Sequence, residues 1–179
     1  TQINNGSALN DVHSIAIDSN NIYAGYAPAG LFLSTNNGGT WQSISNGTSY
    51  GIVNSLAMDG TDMIAGIAGV GTYNTSNFGN TWNQSYMGMT CNTPKKIYVD
   101  TNFIYTASSS AYQNGIYVSA NHGASWALSN NGLANFEIHD FAKIGSTIFT
   151  ATNAGVYAST NNGALWNAVN NGLTNLFVY

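Results

Sequence analysis

The chain has 179 residues, a length suited to one domain or to part of a larger one. Hydrophobic residues make up 44% and aromatics 12%, which is enough for a packed core and excludes wholesale disorder. Charged residues are only 6%, with Lys95, Lys96 and Lys143 as the cations, no Arg and a net charge of −4, so neither nucleic acid nor an anionic membrane surface is an expected partner.

In chain order, the apolar pattern predicts short β-strands and no helix. The first four are expected at 12–17, 22–26, 31–34 and 41–44, with turns at 18–21, 27–30 and 36–39. The set recurs at 52–58, 63–67, 72–75 and 82–85, then at 96–99, 103–107, 116–119 and 126–128. A last set falls at 138–144, 148–151, 156–159 and 166–169. The third set carries extra residues around 108–113, an expected surface loop. Four short strands in each repeat of about 41 residues is the signature of a propeller blade. The expected fold is therefore an all-β propeller, one domain over 1–179 built from four four-stranded antiparallel blades, or a four-blade portion of a larger ring.

The period is anchored by STNNGGTW at 34–41, TSNFGNTW at 75–82, SANHGASW at 119–126 and STNNGALW at 159–166. The fixed residues are Ser34, Asn36, Gly38 and Trp41; Thr75, Asn77, Gly79 and Trp82; Ser119, Asn121, Gly123 and Trp126; and Ser159, Asn161, Gly163 and Trp166. Asn bonds its own following backbone and Gly tolerates positive φ, so the first positions are turn chemistry, closed by a large apolar anchor. Six residues after each Trp stands a Gly: Gly47, Gly88, Gly132 and Gly172.

These motifs resemble the Asp-box, or BNR repeat, Ser-x-Asp-x-Gly-x-x-Trp, with Asn36, Asn77, Asn121 and Asn161 in place of the Asp. The resemblance covers nearly the whole chain. It implies a turn between the third and fourth strands of each blade, away from the family's active face. Asn keeps the acceptor and drops the charge, so the turn is expected to survive as a structural element. A sialidase-like activity is not expected, because that resemblance requires three Arg and the chain has none.

Catalytic equipment is sparse. A glycosidase needs two placed carboxylates, and the acids are Asp11, Asp18, Asp59, Asp62, Asp100, Glu137 and Asp140. Asp18, Asp59 and Asp100 mark one repeated turn, and His122 falls in another. Repeats one and four both read acid-x-His on the innermost strand. If the ring closes after four blades, Asp11, His13, Glu137 and His139 meet at the channel mouth as a candidate divalent-metal or channel-ligand site. No other cofactor is expected.

Cys91 is the sole cysteine, so no intrachain disulfide forms, and the expectation is an ordinary buried thiol. No apolar run is long enough for membrane insertion. A surface of Asn, Ser, Thr, Gln and Gly, with 27 Asn, together with a first residue Thr1, fits an extracellular chain, mature or a fragment. Gly6 occupies the slot of the other Gly residues, and residues 173–179 begin a fifth repeat. Leu173, Leu176, Phe177, Val178 and Tyr179 form a candidate assembly strand for donation to another copy. The leading expectation is a non-enzymatic, self-assembling structural or interaction protein. The rival is a carbohydrate-binding propeller, with Tyr23, Tyr26, Tyr50, Tyr73, Tyr86 and Tyr117 as candidate ring faces and Tyr112 as the exposed one; a glycosidase-like fragment ranks third.

Overall fold

A computed structural model describes residues 11–18, 20–27, 30–49, 51–108 and 114–179. Sixteen strands and no helix occur among them. Blade 1 comprises β1 (Asp11–Ile17), β2 (Ile22–Ala27), β3 (Gly30–Ser34) and β4 (Gln42–Ser43). Blade 2 comprises β5 (Val53–Asp59), β6 (Asp62–Ile67), β7 (Gly71–Thr75) and β8 (Asn83–Gln84). Blade 3 follows with β9 (Pro94–Val99), β10 (Ile104–Ser108), β11 (Gly115–Ser119) and β12 (Ala127–Leu128). Blade 4 is β13 (Ile138–Ile144), β14 (Thr147–Thr152), β15 (Gly155–Ser159) and β16 (Asn167–Ala168). Each blade is a separate four-stranded sheet whose strands pair in sequence order, every pair antiparallel. The expected fold class and blade division are observed; the outermost strands are shorter than expected.

A register shift recurs near the start of each innermost pair, between Val12 and Ser14, Val53 and Ser55, Pro94 and Lys96, and Ile138 and Asp140. Such a bulge turns the strand and re-aims the side chains beyond it. It also fixes which residues face forward and which face back along the row of blades.

The core lies between blades rather than at one centre. Leu31 and Ile44 of blade 1 pack with Val53, Leu56, Tyr73 and Trp82 of blade 2. Ile64 of blade 2 packs with Ile97, Tyr117 and Trp126 of blade 3. Tyr105 and Ile116 of blade 3 pack with Ile138, Phe141 and Trp166 of blade 4. Both faces of an inner blade are therefore buried, which explains why its strands do not alternate cleanly between apolar and polar residues.

Candidate functional site

The repeated turn is held by one hydrogen-bond circuit in all four blades. Ser34 Oγ donates to Asn36 Oδ1 at 3.0 Å and accepts the Gly38 N–H at 2.9 Å. Asn36 Oδ1 also accepts the Thr40 N–H at 2.8 Å. Thr75–Asn77, Ser119–Asn121 and Ser159–Asn161 repeat the arrangement at 2.8, 2.9 and 2.8 Å. The residue between Asn and Gly is left-handed each time: Asn37, Phe78, His122 and Asn162 have φ of 55–59°. Asn uses the donor that Asp lacks: Nδ2 of Asn36, Asn77 and Asn121 bonds the hydroxyl of Thr40, Thr81 and Ser125 at 2.8–3.0 Å. The fourth box has Leu165 at that position. Those hydroxyls were not singled out in the sequence, although three of four boxes carry one.

Each Trp from the second box onward fastens its blade to the one before. Trp82 Nε1 donates to Ile44 O at 2.7 Å, Trp126 Nε1 to Ser85 O at 2.6 Å and Trp166 Nε1 to Ser129 O at 2.9 Å. Their backbone N–H groups bond Asn46 O, Met87 O and Asn131 O at 2.8–3.0 Å. The linker Gly lies beneath this contact: a Cβ on Gly47 would sit 2.7 Å from Trp82 O, and one on Gly88 or Gly132 would come closer still to Trp126 O or Trp166 O. With φ of 85–91° as well, no other residue fits these three positions without strain.

The candidate channel quartet is not assembled. Strand contacts run from blade 1 to 2, 2 to 3 and 3 to 4, and β13 packs on β9 and β10 rather than on β1. Glu137 instead pairs with Lys95 at 3.1 Å. His139 Nε2 donates to Asn153 Oδ1 at 2.7 Å, and its ring lies 4.8 Å from that of Tyr179. Asp11 and His13 are exposed on β1. Among the described residues no three His, Cys, Asp or Glu side chains converge as a metal site would require. The expectation depended on the first and fourth blades being neighbours.

The other acids are engaged as well, Asp18 and Asp62 within their own turns and Asp59, Asp100 and Asp140 by residues of a neighbouring blade. Asp18 accepts the N–H groups of Asn20 and Asn21 at 2.9 and 2.8 Å and the Tyr23 hydroxyl at 2.9 Å. These bonds hold its carboxyl down at about 2, while burial and the Asp18 charge push Tyr23 up to about 12. Asp59 meets His122 Nδ1 at 2.8 Å, Lys96 meets Asp140 at 2.9 Å, and Lys143 bonds Asp100. The Lys143 ammonium holds Asp100 below its ordinary range. Burial, with the Asp100 charge nearby, pushes Tyr105 up to about 12.

Of the candidate sugar-stacking residues, Tyr23, Tyr26, Tyr73 and Tyr117 are buried and Tyr86 is exposed. Tyr50 and Tyr112 lie outside the described residues, as does most of the third-repeat loop. Cys91 is buried against the Ser108 hydroxyl. Residues 173–179 pair in no ladder: Val178 N–H bonds Thr152 O at 3.3 Å, and Leu173, Leu176, Phe177 and Tyr179 are exposed.

The two ends of the row differ from its interior at equivalent repeat positions. Val12 and Ile15 of β1 are 53% and 59% exposed, whereas Val53 and Leu56 of β5 are 0% and 8%. Leu133, which follows Gly132, is 8% exposed, whereas Leu173, which follows Gly172, is 45%. Nothing lies within 4 Å of a Cβ built on Gly172.

No family model matches the chain, and no curated protein does. Solved structures do. An ancestral GH74 enzyme superposes with a TM-score of 0.73 at 24% identity over 92% of this chain and 25% of its own. The extracellular domain of the one-component system BT4673 from B. thetaiotaomicron gives 0.69 at 16% identity over 97% of this chain and 24% of its own. The computationally designed Ika4 protein gives 0.68 at 10% identity, over 89% of this chain and 97% of its own. This chain thus spans about a quarter of the GH74 enzyme's length, and the likeness is one of fold: a row of four propeller blades.

Proposed function

We propose that the chain is a non-enzymatic, extracellular structural or interaction module that associates with copies of itself through its terminal segments. The observation that carries this reading is the exposed, unladdered segment bearing Leu173, Leu176, Phe177 and Tyr179. Such a segment is an aggregation liability unless something pairs with it. The commitment of Asp18, Asp59, Asp100, Glu137 and Asp140 to turns or cationic partners further supports a non-catalytic role. A polar surface poor in charge and the likeness to the extracellular BT4673 domain favour the location.

The test compares the full chain with a chain ending at Gly172, by light scattering after size exclusion. Strand donation requires the full chain to associate and the shortened one to be monomeric with an unchanged β spectrum. Equal association of both removes strand donation; a monomeric full chain removes self-association. A second reading, a sugar-binding or sugar-cleaving propeller, is favoured by the likeness to a GH74 enzyme. A glycan array and a glycosidase screen test it, and silence in both counts against it.

A further inference from the structure

The geometry points to a specific docking surface: the forward face of blade 4 receives the rear face of blade 1 of a second copy, head to tail. This inference rests on the self-association proposed above but not on strand donation. In blades 1 to 3 the forward face is a fixed set of repeat positions, occupied in blade 1 by Ala16, Tyr23, Leu31 and Ile44, all buried against blade 2. Blade 4 places Ala142, Phe149, Val156 and Val169 at those positions, and none of them is fully buried. The rear face of blade 1 offers Val12, Ile15 and Ile17, all more than half exposed. Val12 shares its repeat position with Val178, whose N–H bonds Thr152 O, so docking displaces the end of the segment 173–179. Both halves of the blade–blade contact are thus present on one chain, at opposite ends, and none of the residues named for either half carries a charge.

The forward end of blade 4 also carries a formed socket for a Trp turn. The residues equivalent to the acceptors Ser129 and Asn131 are Val169 and Asn171. The linker turn is already built: Leu173 N–H bonds Asn170 O at 3.0 Å, as Leu133 N–H bonds Asn130 O at 3.1 Å. Asn170 Oδ1 accepts the Val156 N–H at 2.8 Å, as Asn130 Oδ1 accepts the Ile116 N–H at 2.9 Å. Gly172 holds φ at 87°, with the space above it that Trp166 O fills over Gly132. The Trp of an incoming blade 1 is Trp41, which has interactions within its own chain, so docking exchanges them for Val169 O and Asn171 O. The sequence supports such an exchange. Residues 1–6, TQINNG, occupy the same repeat positions as residues 167–172, NAVNNG. A contact between unlike faces is heterologous, and it propagates or closes into a ring.

The experiment uses the full chain and two exposed-face variants, Ile15→Asp and Val169→Asp, with the melting curve as the check of folding. Each variant alone should associate about tenfold more weakly or worse, because a charge is placed in an apolar contact. Mixed, they should form a one-to-one pair, since each supplies the face the other lacks. Association of the full chain that neither variant weakens overturns this docking while leaving self-association standing. Loss in both variants without rescue on mixing also overturns it, because an isologous contact would behave that way. A full chain monomeric at every concentration assigns the faces to another occupant, such as further blades of a longer chain, and overturns both readings.

Discussion

The contact between blades 1 and 2 and the contact between blades 3 and 4 occupy the same place in the repeat but are held differently at their inner edge. Between blades 1 and 2 the inner strands meet through Val53 and Leu56, and Ser14 Oγ donates to Val53 O at 3.0 Å. Between blades 3 and 4 the equivalent residues Ile138 and Phe141 are buried in the same way, and three ion pairs are added at the inner strands: Lys95–Glu137, Lys96–Asp140 and Lys143–Asp100. All three cations of the chain stand at this one boundary. Both boundaries share the apolar cluster and the Trp hydrogen bond farther out. The apolar contact and the Trp bond common to both boundaries thus set the fold, and the inner edge of one boundary adds charge to them.

The largest effect should come from breaking what the two boundaries share. Trp82→Ala removes a buried indole from the cluster of blades 1 and 2 and leaves Ile44 O without its donor. A loss of about 3–5 kcal/mol is expected by chemical denaturation. A loss under about 1 kcal/mol would show that the indole is not the anchor described. Trp166→Ala should cost a similar amount, since the apolar clusters correspond.

The next effect separates the boundaries. Lys143→Met leaves the partly buried Asp100 carboxylate without its ammonium partner and should cost about 1–2 kcal/mol. The more exposed pairs, Lys95–Glu137 and Lys96–Asp140, should each contribute about 0.2–1 kcal/mol in a double-mutant cycle. Raising NaCl to about 1 M should erase the coupling of these two pairs while leaving the cost of Trp82→Ala unchanged. A salt-independent coupling would contradict their exposure.

The smallest effect is in acid. Asp18 and Asp100 are both more acidic folded than unfolded, so their stabilisation is complete above the ordinary carboxylate value of 3.8. It is lost as pH falls through the folded value, about 2 for Asp18. Melting temperature should hold steady down to about pH 4 and fall below it, and Asp100→Asn should flatten part of that fall. A decline beginning near pH 6 would point to other groups.

Much of the fold was legible because the repeat states its own turns. Trp and Gly at fixed offsets located every blade, and the strand sets followed from short β-branched and aromatic runs. The outermost strands contracted to two residues, although the N–H of the next residue, Ile44, Ser85, Ser129 or Val169, still bonds the third strand. The channel quartet misled because adjacency of blades 1 and 4 is a property of ring curvature, which no local pattern encodes. The charged boundary was hidden for a related reason. Lys95 and Glu137 are 42 residues apart, and only the stacking of blades makes them neighbours. The hydroxyls of Thr40, Thr81 and Ser125 were visible but carry meaning only once Asn is known to turn its amide towards them.

The direction of the Trp contacts has a consequence for synthesis. The indoles of Trp82, Trp126 and Trp166 each reach back to a carbonyl, 38, 41 and 37 residues earlier. A blade leaving the ribosome can form its own ladders at once, yet its forward face stays uncovered until the next box has been made. Nascent chains should therefore gain protection in steps that trail elongation by one repeat, and a ribosome paused just before a Trp codon would hold the preceding blade half sealed.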